Sequence, residues 1–323
     1  MKIVITGGMG FIGSHFVELA LQDNHQILVL DKMTYAANDL NLSSAVRDEI
    51  TLKKIDISDR GSLENSLKGF EDSDCFVNFA AESHVDRSIK DSSPFIESNI
   101  RGTVNLLELV KLGFAKKMIQ VSTDEVYGSA ATESWNENSP LAPRSPYSAS
   151  KASAEFFCDA YRNTHGVNVV ISRCANNYGS RQSVEKFIPT AISSIIENRS
   201  IGVYGDGENR REWLHVIDHC RAINLLMKED RLRNFHYNIG GTELSNNQLA
   251  GELIKISKKS TSSIEYIPDR LGHDFRYSVD DARIRQELGW NPIYKLHEGL
   301  LQTYEWYLGN PEWVKTSQER LSL

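Results

Sequence analysis

The sequence lacks most of what marks an exported, membrane-bound or nucleic-acid-binding protein. Its four cysteines, Cys75, Cys158, Cys174 and Cys220, are scattered with no CxxC pair among them, so neither a disulfide framework nor a thiolate metal cluster is expected. No stretch approaches the roughly 18 consecutive apolar residues of a membrane-spanning helix. Met1 leads within one residue into a strand-like run in place of a signal peptide, and a reducing cytoplasm is the expected location. Positive charge is in short supply: 36 Lys and Arg stand against 43 Asp and Glu, a formal net charge of -7. That excludes a general nucleic-acid binder while leaving room for a local basic pocket. Prolines number only 8, and Pro140, Pro143 and Pro146 form a short loop, not a linker. His215 and His219 stand four apart in HVIDH, but Val216 occupies the position where a HExxH zinc motif needs Glu, so no metal is expected.

What is present is a regular alternation. About 40% of the 323 residues are apolar, enough for a substantial core. Short apolar runs at 3–5, 27–30, 52–57, 76–79, 118–121 and 169–171 read as buried strands, separated by amphipathic helical segments such as 16–21 and 104–110. That pattern predicts an α/β doubly wound parallel sheet, a Rossmann domain over residues 1–173 with a contribution from 211–239. Beyond Cys174 the alternation fades into mixed segments, including the turn-rich YGDGEN run from Tyr204 and NIGG from Asn238. Residues 174–323 are therefore expected to form mainly a smaller C-terminal lobe.

Strand one ends in TGGMGFIG, which spaces Gly7, Gly10 and Gly13 as GxxGxxG before a helix. Glycine allows the tight turn and lets backbone N–H groups approach a pyrophosphate, which the helix N-terminus also favours. Phe11 and Ile12 lie within this loop. Asp31 closes the second strand eighteen residues after Gly13, where a carboxylate accepts from both adenosine ribose hydroxyls and repels a 2′-phosphate. NAD is thus expected over NADP. Lys32 beside it, Asp56 and Ile57 after strand three, and Phe79, Ala80 and Ala81 after strand four lie at the same sheet edge and complete the expected cofactor site.

Tyr147 and Lys151, four apart in YSASK, share a helix face. An adjacent ammonium favours the phenolate, which lets Tyr147 take a proton from a substrate hydroxyl while hydride leaves the same carbon. Strand five runs into Thr123, Asp124 and Glu125. Thr123 is placed to bond the same hydroxyl. A dehydrogenase or epimerase needs nothing more, yet two carboxyls follow; elimination of water calls for one base and one acid, and paired carboxyls can divide those roles. Capping of the next turn is the alternative use of this pair.

With these residues assembled, the chain resembles the dTDP-glucose 4,6-dehydratases over nearly its whole length. STDEVYG at 122–128, SPYSASKAS at 145–153, FAAESHVDRSI at 79–89, NNYG at 176–179, DRLGHD at 269–274 and ELGW at 287–290 carry the resemblance. It implies oxidation at sugar C4 by NAD, loss of water across C5 and C6, and return of hydride to C6. Tyr147 would be the oxidation base, supported by Lys151 and positioned by Thr123; Glu125 would remove the C5 proton and Asp124 would protonate the leaving hydroxyl. Ser83 and Asn176 would touch the sugar or its phosphate, and Thr34, Ser98 and Asn177 would help hold NAD. For the nucleotide end the resemblance points to Lys186, Tyr204, Arg211, Asn246, Arg270 and His273. Among these, Arg211 and Lys186 suit a diphosphate, and Tyr204 suits stacking on a pyrimidine.

One segment departs from the family pattern. Where these enzymes usually read NNYGPYxxPEKLIP, this chain has NNYG followed by Ser180, Arg181, Gln182, Ser183 and Val184 before Glu185 and Lys186. A second, milder departure is Arg211-Glu212-Trp213 in place of Arg-Asp-Trp. The same scaffold serves UDP-sugar dehydratases, N-acetylhexosamine substrates included, and epimerases. A non-catalytic nucleotide-sugar-binding regulator is the third reading, opposed by the intact Tyr147 and Lys151. In similar enzymes the helices around 104–110 and 149–161 pair into a four-helix bundle, so a homodimer is expected; Ala152, Phe156, Phe157 and Ala160 either make that contact or face their own sheet.

Overall fold

The structure is a computed structural model that describes the chain apart from residues 260–262, 270–271 and 322–323. Its described strands are, in chain order, β1 (Lys2–Thr6), β2 (Gln26–Asp31), β3 (Thr51–Lys54), β4 (Cys75–Asn78), β5 (Met118–Thr123), β6 (Val169–Cys174), β7 (Asn176–Tyr178), β8 (Ile201–Tyr204), β9 (Arg210–His215), β10 (His236–Ile239), β11 (Thr242–Ser245) and β12 (Ile264–Ile267). Seven of them form one parallel sheet in the order β10-β6-β5-β4-β1-β2-β3. The order reverses direction between β1 and β4, the point at which a doubly wound sheet opens a ligand crevice beyond its strand ends.

The apolar runs form central strands because both faces of this sheet are covered. Alternate residues enter opposite cores. Ile3, Ile5, Val29, Val77 and Ile119 pack with Phe16 and Val17 of the helix Phe11–Gln22 and with Cys220 and Ile223 of the helix Val216–Lys228. Val4, Leu28, Leu30, Phe76 and Met118 pack with Leu106, Leu107 and Val110 of the helix Gly102–Lys111 and with Cys158 of the helix Pro146–His165. The expected buried strand at 52–57 is corrected: β3 covers Thr51–Lys54 and is largely exposed, because it pairs with β2 alone and closes the sheet as an edge. Residues Ile55, Asp56 and Ile57 leave the strand and turn into the crevice.

After β6 the chain builds a second cluster, then returns. β7, β9 and β11 form a three-stranded sheet, and β8 pairs with β12. Ile188, Ile192, Ile195, Trp213, Leu249 and Leu253 fill the core behind them. Between these pieces, β10 adds itself to the main sheet beside β6. The question left open for the helix Pro146–His165 is answered residue by residue by its burial: Ala152 is buried with Val126, Tyr127 and Val279, whereas Phe156, Phe157 and Ala160 are exposed. Among the described residues no helix is long and apolar enough to cross a membrane.

Candidate active site

The glycine turn after β1 makes a cradle that side chains would fill. Gly7 has φ +70, and a Cβ there would lie 2.6 Å from the Ala80 nitrogen. A Cβ on Gly13 would lie 2.2 Å from the Gly7 carbonyl oxygen, so this glycine lets the helix Phe11–Gln22 start directly against the loop. Gly7 and Gly10 line a cavity of about 370 Å³. From the end of β2 come Asp31, Lys32 and Thr34, from the end of β3 Asp56 and Ile57, and from the end of β4 Phe79, Ala80 and Ala81. Ser98 joins them from a segment that widens to π-helical geometry over Ile96–Arg101, a distortion that recurs at functional sites. Phe11, Ile12 and Gly13, which open the helix Phe11–Gln22, are not among the lining residues. Ala37 and Pro94, which no local signal singled out, add apolar wall.

Asp31 is buried, and burial pushes its carboxyl up while the N–H groups of Met33 at 2.7 Å and Met9 at 2.9 Å oppose that shift. Each carboxylate oxygen thus keeps a free lone pair direction for a ribose hydroxyl. Asp56 pairs with Lys32 at 2.7 Å. The crevice therefore fits a dinucleotide: glycine backbone for the pyrophosphate, an acidic residue for a ribose and an apolar slot for the adenine.

Tyr147 and Lys151 lie in the first two turns of the helix Pro146–His165, which opens with a capping box between Ser145 and Ser148. Both are buried. Burial pushes the Tyr147 phenol well above its ordinary 10.0, and Glu125, Cys174 and Asp124 add to this while a hydrogen bond with Thr123 opposes it. The expectation that the lysine draws the phenol down is corrected. Lys151 donates to the Val121 carbonyl at 2.6 Å, and burial lowers its own ammonium to about 8. Desolvation and nearby carboxyls therefore outweigh the i, i+4 relation that the sequence suggested.

Thr123 caps the short turn Asp124–Tyr127: its hydroxyl accepts from the Glu125 N–H at 3.2 Å and donates to Asp124 Oδ1 at 3.2 Å. Asp124 is fully enclosed. Burial, then Glu125 and Glu212, raise its carboxyl well above 3.8, against a weaker pull from Arg211. Its Oδ2 is buried with no hydrogen-bond partner among the described residues. Glu125 is only half-buried. The two carboxyls thus sit in unlike environments, one enclosed where burial favours its protonated form and the other half-buried.

The elements that carry these groups are tied together by buried polar side chains that the sequence reading missed. Asn99 accepts from the Glu82 N–H at 2.9 Å and donates to Ser150 at 2.8 Å, joining the β4 loop to the Tyr147 helix. Ser88 accepts from the Tyr147 N–H at 3.2 Å. Glu155, one turn beyond Lys151, accepts from Ser122 and takes two bonds from Arg173, at 2.9 and 2.7 Å. Arg173 also donates to Tyr127 at 2.6 Å, at the far end of the Asp124 turn. An arginine inside the apolar run of β6 was the one available signal for this network, because a buried charge requires a partner.

On the substrate side, Lys186 reaches the Ser83 carbonyl at 3.1 Å, bringing those two residues together. Arg211 is buried, donates to the carbonyls of Arg210, Phe275 and Asp274 at 2.7, 3.2 and 2.8 Å, and stacks on Tyr277. Tyr204 is partly exposed and meets His273 edge-on at 6.2 Å, and Asn246 opens the helix Asn246–Ser257. Arg270 lies outside the described residues. Asn176 is half-buried in β7, whereas Asn177 turns inward, bonding the Ala175 carbonyl at 3.0 Å and His219 at 2.9 Å. His215 stacks on Tyr294, and burial lowers His215 to about 4 and His219 to about 3. The departing loop is fastened by its own means: Arg181, at φ +65, pairs with Glu18 at 2.8 Å, and the Ser180 carbonyl meets His15 at 3.0 Å.

Residues 4–303 match the family described as GDP-mannose 4,6 dehydratase. A dTDP-glucose 4,6-dehydratase from Streptomyces niveus is 43% identical over 320 residues, which span 97% of this chain and 94% of that protein. The crystal structure of DesIV, a dTDP-glucose 4,6-dehydratase from Streptomyces venezuelae with NAD bound, matches with a TM-score of 0.93 at 43% identity, covering 98% of this chain and 100% of that one. The UDP-glucose 4-epimerase of Thermus thermophilus, in complex with NAD, matches with a TM-score of 0.88 at 26% identity, covering 96% and 99%.

Proposed function

The chain belongs to the dTDP-glucose 4,6-dehydratase family, and from that premise we propose that it is an NAD-dependent hydro-lyase converting dTDP-glucose to dTDP-4-keto-6-deoxyglucose. The observation that carries this reading is the carboxyl pair beside Tyr147. An epimerase needs only the oxidation base, whereas Asp124 and Glu125 supply a buried acid and a half-buried base on one short turn.

NAD, when bound, supplies the acceptor and later the donor of the hydride, together with a positive ring charge that favours phenolate. Tyr147 takes the C4 hydroxyl proton, with Thr123 bonded to its phenol and Lys151 one turn away. The C4 ketone then acidifies the C5 proton, which Glu125 removes. Asp124, whose protonated form burial favours, delivers its proton to the departing C6 hydroxyl. Asp31 favours NAD, since it would repel a 2′-phosphate.

Ser83 and Asn176 are assigned to the sugar or its phosphate, and Lys186 and Arg211 to the diphosphate. Tyr204, Asn246, His273 and Arg270 are assigned to the nucleoside. Residues 174–323 would then be mainly the nucleotide-sugar lobe, on a Rossmann domain of 1–173 completed by 211–239. Phe156 and Phe157, 60% and 41% exposed on the outward face of the helix Pro146–His165, support a homodimer through that face. A cytoplasmic location suits the four free, buried cysteines. Incubation with dTDP-, UDP-, CDP- and GDP-sugars, followed by mass spectrometry, tests the function: dTDP-glucose should lose one water, and preference for another nucleotide would overturn the substrate assignment.

A further inference from the structure

The ribose carboxylate is held by a line of hydrogen bonds that begins in the core of the other lobe. Asp31 Oδ2 accepts from the Met9 N–H at 2.9 Å. The Met9 carbonyl accepts from Asn41 Nδ2 at 2.8 Å, and Asn41 Oδ1 accepts from Trp313 Nε1 at 2.7 Å. All four residues are buried, Asn41 at 1% and Trp313 at 4% exposure. Trp313 belongs to the helix Pro311–Leu321, and its ring meets Trp306 and Tyr307 edge-on at 5.0 and 6.0 Å within the second lobe's core. Two turns later the same helix reaches back again. Arg320 pairs with Asp39, in the turn Asp39–Asn41, and its charge favours the ionised form of Asp31.

The chemistry of these groups fixes the direction of the line. An indole N–H can only donate, so it turns the oxygen of the Asn41 amide toward Trp313. The amide NH₂ is thereby presented to the Met9 carbonyl. With the indole in place a flipped amide would lose both contacts, its NH₂ meeting the indole N–H and its oxygen the Met9 carbonyl; without it only the second mismatch would oppose the flip. Met9 stands between Gly8 and Gly10 of the phosphate-binding turn. One of its backbone groups is tied to Asn41 and the other to Asp31, so turn and carboxylate are set as one unit.

We propose that the helix Pro311–Leu321 is a strut of the cofactor site, and that Trp313, acting through Asn41, is a positioning residue for NAD. The inference rests on the NAD reading above. Its test is exchange of bound cofactor: the purified holoenzyme is mixed with excess radiolabelled NAD and incorporation is followed. Trp313→Phe keeps a ring in the aromatic cluster but removes the donor. Loss of one neutral hydrogen bond should speed exchange about three- to tenfold. The dissociation constant for dTDP, measured by calorimetry, should stay within about twofold, which loss of the lobe's packing would not allow. If the parental protein holds no NAD, the cofactor reading itself fails. If it holds NAD and Trp313→Phe exchanges at the parental rate, or weakens dTDP as much as NAD, the strut is refuted while the cofactor reading stands. Should Trp313→Phe not fold, Arg320→Gln removes the helix's ion pair with Asp39 and its charge near Asp31. It should speed exchange about twofold at low ionic strength, and the parental rate there would equally refute the strut.

Discussion

Replacing Asp124 with Asn isolates the acid of the elimination step. The side chain is 2% exposed, its Oδ2 has no partner among the described residues, and burial followed by Glu125 and Glu212 raises its carboxyl well above 3.8. An amide of the same shape keeps the contact with Thr123 but has no proton to give. Loss of a general acid slows its step about 10²- to 10⁴-fold, or about 2.7–5.4 kcal/mol at ~1.36 kcal/mol per decade. In a single turnover on dTDP-glucose, absorbance of the reduced cofactor should rise at close to the parental rate and then persist. Mass spectrometry of quenched samples should find a 4-keto sugar that retains its C6 hydroxyl. Stability should move the other way. With its pKa raised in the fold, Asp124 stays protonated after the unfolded chain has lost that proton, so above its ordinary 3.8 rising pH removes stability. Asn does not titrate, and the variant's Tm advantage should widen as the pH rises above about 4. Dehydration by Asp124→Asn at the parental rate would refute the assignment of the acid.

Glu125→Gln should cut water loss by about 10²- to 10⁴-fold and leave the oxidised sugar on the enzyme, whereas Tyr147→Phe should give no reduced-cofactor absorbance at all; a reversed pattern in the same stopped-flow traces would contradict the roles of the two residues. Glu18→Gln releases the part-buried Arg181 pair, worth about 0.5–1 kcal/mol, so KM for dTDP-glucose should rise about two- to fivefold, and an unchanged KM would mean that the loop is held elsewhere. Light scattering should find a species of twice 36.5 kDa, and the double variant Phe156→Glu, Phe157→Glu should bring it to the single mass; a single-mass parental protein at micromolar concentration excludes the dimer.

The fold was legible where burial is two-sided. β1, β2, β4, β5 and β6 are apolar on both faces, so their runs stand out; β3 misled because an edge strand and the cofactor-lining stretch after it share one apolar pattern. β7, β8, β9, β11 and β12 are only 3 to 6 residues long, too short for periodicity to separate them from turns. In the site, glycine spacing and the sheet-edge rule located the cofactor residues, since both follow from backbone geometry. The electrostatics were less accessible: spacing places Lys151 beside Tyr147, but only the folded interior shows the ammonium bonded to Val121. The contact of Trp313 with Asn41 joins positions 272 apart, and no local pattern announces it. Phe156 and Phe157 were ambiguous because this helix carries apolar residues on its exposed face as well as on its buried one.

The reaction is tested most directly with dTDP-glucose carrying deuterium at C4. Intramolecular oxidation, elimination and reduction should yield a product lighter by one water that retains the deuterium, now bound at C6, with no net change in cofactor redox state. Deuterium still at C4 of a sugar of unchanged formula, or lost to added cofactor, would contradict the dehydratase mechanism.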